Sequence, residues 1–551
     1  MAPDGTEAST GAATAREDER QLAELGYKQE LSRVWSGFTN FAISFTIISV
    51  LAGTFTTFFQ AWNAGGPVAI SIGWPVICLG VLLVAVSMSE LTSAYPTAGG
   101  PYWWAARLGG AGWSWFTGWF NIAGLLGIVA SVGYGAAFFL YVLLGLYGVD
   151  VFGINFGDSA HALSETFLLF LIILAVVTLL NIFSGSLLAT LNNISVGWHV
   201  LGVLAIIALL VFVPDNHQNA SFVFGHRINN TGFNNGGVGG LPFWFLVMPI
   251  GFVLTMYTQT GYDASAHTAE ETKGAAIAAA QGVWRSVALS ALFGWVVLLA
   301  LLFSASNEKG ITDAGGGATA VITTALTNHV WAAKAIILIA VVGQIFCVAA
   351  GLTSAARTWY AFSRDRGIPG WNLYKRLNHK RVPLYAVMAV SFWSLVITVP
   401  ALWGNKAGVA WAFGALTAIC TVGLYIAYII PVYLRYRHRE NFQAGPWTLG
   451  QRYRWINPLA IAFVVLVVIA VDLPFSHKAV PWNDDFDVTT VNYGPGVLVL
   501  GLLVGIWWKV SAKNHYTGPV RTIETDELGR VIEEPPPPAG GTGPPAPAPA
   551  K

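Results

Sequence analysis

The chain reads as an all-α integral membrane protein of about twelve transmembrane helices, and three observations predict it. Only 10% of its 551 residues are charged and 55% are hydrophobic, whereas a soluble globular protein carries roughly 25% charged residues. Runs of about 20 apolar residues, the length that crosses roughly 30 Å of hydrocarbon, recur along the sequence. Of the 29 Lys and Arg residues, five (Arg227, Lys309, Lys334, Lys406 and Lys478) fall singly in or beside alternate loops, while the other 24 gather in the termini and the remaining loops. Basic loops stay cytoplasmic, so both termini are expected inside.

The elements follow in order. Residues 1–33 are polar, and within them Asp18–Ser32 sets Leu22, Leu25 and Leu31 among charges, the pattern of a helix lying on the cytoplasmic membrane surface. This lead-in has no short apolar region followed by a cleavage site, so no signal peptide is expected. Five spans are placed near 34–60, 67–94, 113–147, 163–183 and 187–213, and five more near 241–266, 286–305, 331–362, 384–403 and 408–434. Between the two sets, 214–240 is an expected extracellular loop, rich in Asn and Gly, with glycosylation triplets at Asn219 and Asn229. Two further spans, near 456–474 and 494–511, occupy the region 435–511. From 512 the tail ends in EEPPPPAGGTGPPAPAPAK, whose prolines and small residues favour a solvated, disordered chain.

Several function classes are disfavoured. A net charge of +1 offers nucleic acid no general attraction. Cys78, Cys347 and Cys420 sit in apolar runs without ligand spacing, so neither disulfide nor metal is expected, and nothing calls for a cofactor. No nucleophile–base pair or phosphate loop occurs at useful spacing, which argues against an enzyme. The outer loops lack filter-like sequence, which argues against a channel.

Two spans carry polar weak points. The first reads FAISFTIISVLAGTFTTFFQ, with Ser44, Thr46, Ser49, Gly53, Thr54, Thr56 and Thr57 at membrane depth; the sixth sets Thr258-Gln259-Thr260 between Gly251 and Gly261 and leads to Asp263. Such residues either let helices pack closely or mark discontinuous helices around a binding site, since unwound backbone is tolerated only against a cavity. His199 lies in the apolar fifth span. It is either a neutral histidine bonded between helices or part of a proton path. Glu90, Asp263, Glu270, Glu271 and Arg357 fall toward the cytoplasmic ends of their spans, as a paired inner gate or as interfacial charges reaching for water.

Three ordered stretches, ELTSAYPTAGGPYWW from Glu90, TGYDASAHTAEET from Thr260 and SAARTWYAFSRDRGIP from Ser354, resemble signatures of amino acid permeases of the amino acid/polyamine/organocation superfamily. The likeness covers roughly 20–512, and LAELGYKQEL with LNNISVGWHVLG is similar to the amino acid/choline transporter branch. It implies a leucine-transporter-like fold: two inverted five-helix repeats (34–213 and 241–434), broken helices 1 and 6, and two extra helices. It also implies a secondary transporter of amino acids or small amines such as γ-aminobutyrate in the plasma membrane. Choline or polyamine permeases, and a non-transporting nutrient sensor, are the alternatives. The superfamily's Gly-Ser-Gly falls on Leu51-Ala52-Gly53, with only the last glycine kept, so the substrate site is expected at Ser49, Val50, Leu51, Ala52, Gly53 and Thr54. From the sixth span it takes Tyr257, Thr258, Gln259, Thr260, Gly261 and Tyr262. His199 falls where sodium-independent relatives place a lysine, with Thr353 and Ser354 near the same pocket, which implies a proton in place of sodium. For choline, Trp119, Tyr257, Tyr262 and Trp359 would have to form a cage.

Overall fold

The computed structural model describes residues 5–151, 154–156, 161–183, 185–404, 411–440, 442–492, 494–521 and 523. Two units separate, the termini (Met1–Gln29 with Val520–Lys551) and the body (Glu30–Pro519). In the terminal unit α1 runs Gly5–Glu24. It stops because Gly26 takes φ +93°, so that its N–H reaches Ala23 O at 2.8 Å and Tyr27 N–H reaches Leu22 O at 3.1 Å, a glycine cap that satisfies the last carbonyls. The expected helix over Asp18–Ser32 is therefore corrected: it begins earlier and ends at Glu24. The Pro-rich tail from 524 lies outside the described residues.

In the body, the first span is α2 (Gly37–Ile48) and α3 (Gly53–Asn63). Then come α4 (Pro67–Ala94), α5 (Pro101–Gly109), α6 (Ala111–Tyr147), α7 (Ala162–Phe183) and α8 (Gly185–Phe212). The second half holds α9 (Gly240–Thr258), α10 (Ala264–His267), α11 (Ala275–Ser304), α12 (Val330–Arg364), α13 (Leu384–Leu402) and α14 (Phe413–Arg437). Last are α15 (Gly450–Asp472) and α16 (Pro495–Val510). Among the described residues 11 helices are long and apolar enough to cross a membrane, α2 with α3 counted as one, and the shorter α16 holds the place of the expected twelfth. The protein is an all-α, multi-span membrane protein; among the described residues the one sheet pairs Asp150–Val151 antiparallel with Ile154–Asn155.

The first span is the axis of the bundle. Its apolar window is 94% buried, against 33% for α8, so its serines and threonines face protein, not lipid. Around it, α6 packs along α12 and α14. Small residues set that spacing: a Cβ on Gly127 would meet Cys420 N at 2.7 Å, and one on Gly423 would meet Gly124 N at 2.9 Å, the close backbone approach that membrane helices use.

Two further expectations change. The seventh span, expected from 286, starts at Ala275 behind Gly274 (φ +64°). Its first turns, AAIAAAQGVWR, are too alanine-rich to register as strongly apolar, yet alanine is the best helix former. In 214–240, Asn229 is 8% exposed and donates both amide hydrogens, to Phe233 O and Gly237 O at 2.9 Å each. That glycosylation triplet is used internally by the fold.

Candidate functional site at the meeting of two broken helices

The first span breaks at Ser49–Ala52. Ser49 takes a left-handed conformation (φ 30°, ψ 89°), and its hydroxyl accepts the Ala52 N–H at 3.1 Å. Among the described residues nothing accepts from the N–H of Val50 or Leu51. The threonines of α3 return hydrogen bonds to the loosened carbonyls: Thr54 to Val50, Thr56 to Ala52 at 2.8 Å and Thr57 to Gly53 at 2.7 Å. The sixth span breaks over Gln259–Asp263, one residue later than expected. Gly261 has φ +81°, and a Cβ there would lie 2.2 Å from Ile47 Cγ2, so glycine alone fits without rebuilding. Its N–H finds the Tyr428 hydroxyl at 3.1 Å.

The two breaks touch. A Cβ on Gly53 would stand 2.7 Å from Thr258 Cα and 2.6 Å from its Oγ1. Beside this contact lies a narrow cleft of about 10 Å³, lined by Ile47, Ile48, Ala52, Gly53, Ile128, Val132, Tyr257, Thr258 and Thr260. Of the residues expected to bind substrate, five (Ala52, Gly53, Tyr257, Thr258 and Thr260) therefore face one space. The others do not line it. Ser49 turns to His199, and Thr54 bonds its own helix. Val50 and Leu51 are buried in the apolar core, Leu51 close against Gly343 of α12. Gln259 offers its carbonyl to the Tyr425 hydroxyl at 3.4 Å, Gly261 packs on Ile47, and Tyr262 meets Tyr428 at a tilt, ring centroids 4.8 Å apart.

Residues the sequence did not point to complete the surroundings. The Tyr257 hydroxyl pairs with Ser131 of α6 at 2.7 Å. Gln344 of α12, close to Gly135 of α6, is fully buried with neither amide atom bonded. A glutamine inside the apolar eighth span was the available signal, since buried amides are normally paired. The aromatic cage does not assemble: Trp119 and Trp359 line a separate apolar groove with Tyr374 and Trp393, away from Tyr257 and Tyr262.

His199 reaches the first break directly. Its Nδ1 faces the Ser195 carbonyl at 2.8 Å and its Nε2 faces Ser49 Oγ at 2.7 Å. Because a carbonyl only accepts, Nδ1 carries hydrogen and Nε2 is the titrating position. Thr353 and Ser354 do not join it. The Thr353 hydroxyl is taken by Asn181 at 2.7 Å and Ala349 O at 2.9 Å, and Ser354 Oγ is buried without a partner. Nearer the first break on α12 is Cys347, whose thiol donates to Ile47 O, two residues before it, at 3.0 Å.

The expected gate charges are all paired: Arg357 with Glu271 from the same cluster, and the others with partners the sequence reading did not name. Glu90 meets Arg435 at 3.1 Å and also accepts from Thr448 Oγ1 and Leu449 N. Glu270 meets Arg364 at 3.2 Å, Arg357 meets Glu271 at 2.8 Å, and Asp263 meets His267 at 2.9 Å. None of these side chains is more than 6% exposed. The reading as interfacial charges that reach for water is overturned for all of them. A buried charge persists only if compensated, and each carboxylate here is.

An all-α bundle in which two interrupted helices meet beside a narrow cleft defines a polytopic membrane protein. A family profile described as amino acid permease matches residues 36–501. An Arabidopsis thaliana protein named amino-acid permease BAT1 is 34% identical over 91% of this chain and 96% of its own length, and its rice homologue is 34% identical over 92% and 96%. A GABA-specific permease of Saccharomyces cerevisiae is 28% identical over 95% and 89%. The chain belongs to the amino acid permease family, whose work is amino acid transport across a membrane.

Proposed function

We propose that this permease is a proton-coupled secondary transporter that carries amino acids or small amines such as γ-aminobutyrate across the plasma membrane by alternating access. The observation that carries the reading is the meeting of the two breaks at Gly53 and Thr258, beside a cleft that no charged side chain lines. A substrate carboxylate lies against the N-terminal end of α3 where Ala52 and Gly53 line the cleft, since a helix N-terminus favours an anion. The amine faces carbonyls at the end of α9, with Tyr257 as a wall. The name of the yeast relative supports this substrate class, since γ-aminobutyrate carries both groups.

On this reading 34–213 and 241–434 are the inverted repeats, 214–240 is extracellular, 435–511 adds two helices, and residues 1–33 and 512–551 are cytoplasmic. The end of the bundle holding α2 and α10 is then the cytoplasmic end, and its buried ion pairs form the inner gate. His199 couples the proton to the first break. When neutral, Nε2 accepts from the Ser49 hydroxyl; when charged it donates, so one proton reverses a hydrogen bond at the residue that bends the backbone. That change at the break is what lets a proton stand in for sodium.

The test is uptake of radiolabelled γ-aminobutyrate and alanine by the full chain in proteoliposomes. Wild type should accumulate substrate under an inward proton gradient, indifferent to sodium. His199→Ala should lose the pH dependence, because proton and substrate must tighten each other's binding if they favour one state. An unaltered pH profile in His199→Ala, or sodium-dependent uptake by the wild type, overturns this coupling.

A further inference from the structure

Asp263 and His267 are fully buried one turn apart, and their hydrogen bonds constrain how many protons they hold. His267 Nδ1 faces the Ala98 carbonyl at 3.2 Å, and Nε2 faces Asp263 Oδ2 at 2.9 Å. A carbonyl and a carboxylate both only accept. Both contacts are hydrogen bonds only when Nδ1 carries hydrogen and a second hydrogen stands between Nε2 and Oδ2, either on the ring beside a carboxylate or on a neutral carboxyl beside the ring. With a single hydrogen the ring can donate to only one of the two, and the other faces a bare lone pair. The remaining contacts are donors: Asn121 Nδ2 of α6 to Oδ2 at 2.9 Å, and the Tyr428 hydroxyl of α14 to Oδ1 at 2.7 Å.

We propose that the Asp263–His267 pair is a second proton-binding site of the permease, which latches the α10 end of the molecule to the 95–100 segment while the proton is bound. The proposal deepens the proton-coupled reading. His199 senses a proton at the first break, and this pair senses one below the second. Both of its connections are on the page. Upward, Tyr428 bridges Asp263 to the Gly261 N–H inside the break. Outward, the Ala98 residue is held at both ends, its carbonyl by His267 and its N–H by Glu270 Oε1 at 2.9 Å, and Glu270 in turn holds Arg364. Loss of one proton leaves the ring a single hydrogen for two acceptors; the carboxylate keeps it at Nε2, Nδ1 turns a bare lone pair on the Ala98 carbonyl, and Ala98 loses one of its two anchors. The other titratable groups around the pair are Tyr262 on its own segment and Tyr425, Tyr428 and Cys420 on α14; Glu270 and Arg364 lie one link further away. Among the described residues no lysine or arginine pairs with Asp263, so a departing proton has no nearby cation to replace it.

The test needs no substrate. In the full chain without Cys78, Cys347 and Cys420, Thr97→Cys places a thiol beside Ala98 at a buried hydroxyl that has no partner. Its reaction with a soluble maleimide is followed from mildly acidic to alkaline buffer and divided by that of Lys375→Cys, an exposed control that removes the thiol's own titration. In the otherwise native background the ratio should rise with pH by about tenfold, the change that one pKa unit of linkage produces. Asp263→Asn, whose amide donates to Nε2 without a shared proton, and His267→Gln should each flatten that rise. A flat ratio in the native background overturns the proposal without recourse to either variant, and so does a rise that survives both. Failure of γ-aminobutyrate uptake to follow a proton gradient would count against the coupled-transport reading and leave this result standing by itself.

Discussion

The two ends of the broken-helix pair are built from different interactions. At one end α2 meets α10 through directional polar contacts: Asn40 Nδ2 donates to Ser265 O at 2.9 Å, to Thr268 Oγ1 at 3.2 Å and to Thr272 Oγ1 at 2.9 Å, and Ser44 donates to Tyr262 O at 2.9 Å. The buried ion pairs lie at the same end, and Trp35 exchanges backbone hydrogen bonds with Glu271 and Lys273 across them. At the other end α3 meets α9 chiefly by packing: Gly53 against Thr258, Gly251 against the Ala64 carbonyl, and Phe55, Phe58, Trp62, Met248 and Leu254 in one apolar core. Polar contacts can be exchanged for water or reset by a proton. Packed apolar surface has no substitute partner. The difference places the part of the molecule that chemistry can open at the α2/α10 end, and the part that behaves as one body at the α3/α9 end.

The largest effects should separate the ends by pH. Arg357→Ala leaves Glu271 buried without its cation, a loss of about 3–5 kcal/mol, and Phe58→Ala removes a buried ring at a similar cost of about 3–5 kcal/mol. Thermal unfolding in detergent should recover part of the first loss in acid, because protonating Glu271 removes the stranded charge, and none of the second. Equal acid responses would abolish the contrast.

Gly53→Ala should come next. Its methyl would sit 2.6–2.7 Å from Thr258 atoms, one of them backbone, so overpacking of about 1–3 kcal/mol is expected, together with weaker substrate binding by displacement of the cleft. The same contact shows why a bulkier Gly53→Leu is a poor test of binding: it would separate the helices before it met any ligand. Full stability in Gly53→Ala would mean the α3/α9 contact is looser than drawn.

The smallest effects compare single hydrogen bonds. Asn40→Ala removes one donor shared by three acceptors between helices and should cost about 1–2 kcal/mol, within the range for polar contacts in membranes. Thr57→Ala removes only an intrahelical bond to Gly53 O and should cost about 0.6 kcal/mol or less. Equal losses in the two, measured by the same unfolding assay, would show that the polar seam at the α2/α10 end has no special weight.

Where the sequence was informative, the reason is that the signal is local. The break at Ser49–Ala52 was readable because hydroxyls and a glycine at membrane depth have no use against lipid, and the break near Gly261 because only glycine takes that backbone without strain. The start of α11 was missed because alanines are helical without being strongly apolar. His267 was missed although it stands four residues after Asp263, since on a short segment of four residues that spacing has no periodic context to lend it weight.

The sequence by itself determined the solvent and the run of spans, which follow from the polarity of short stretches of chain, marked the two weak points, and carried the resemblance to the family in its ordered motifs. Tertiary structure alone decided the partners. Arg357 could have taken Glu270 or Glu271, and it takes Glu271 because the short turn Ala269–Glu271 points consecutive carboxylates to different neighbours, Glu270 going to Arg364. Leu51 stands where the related motif has a small residue, and only packing against Gly343 shows it turned away from the cleft. Thr353 joined Asn181 and not His199 because its hydroxyl faces α7. A hydrogen bond or ion pair forms within about 3 Å and along a set direction, and such distances between residues hundreds apart in the chain exist only once the helices have packed.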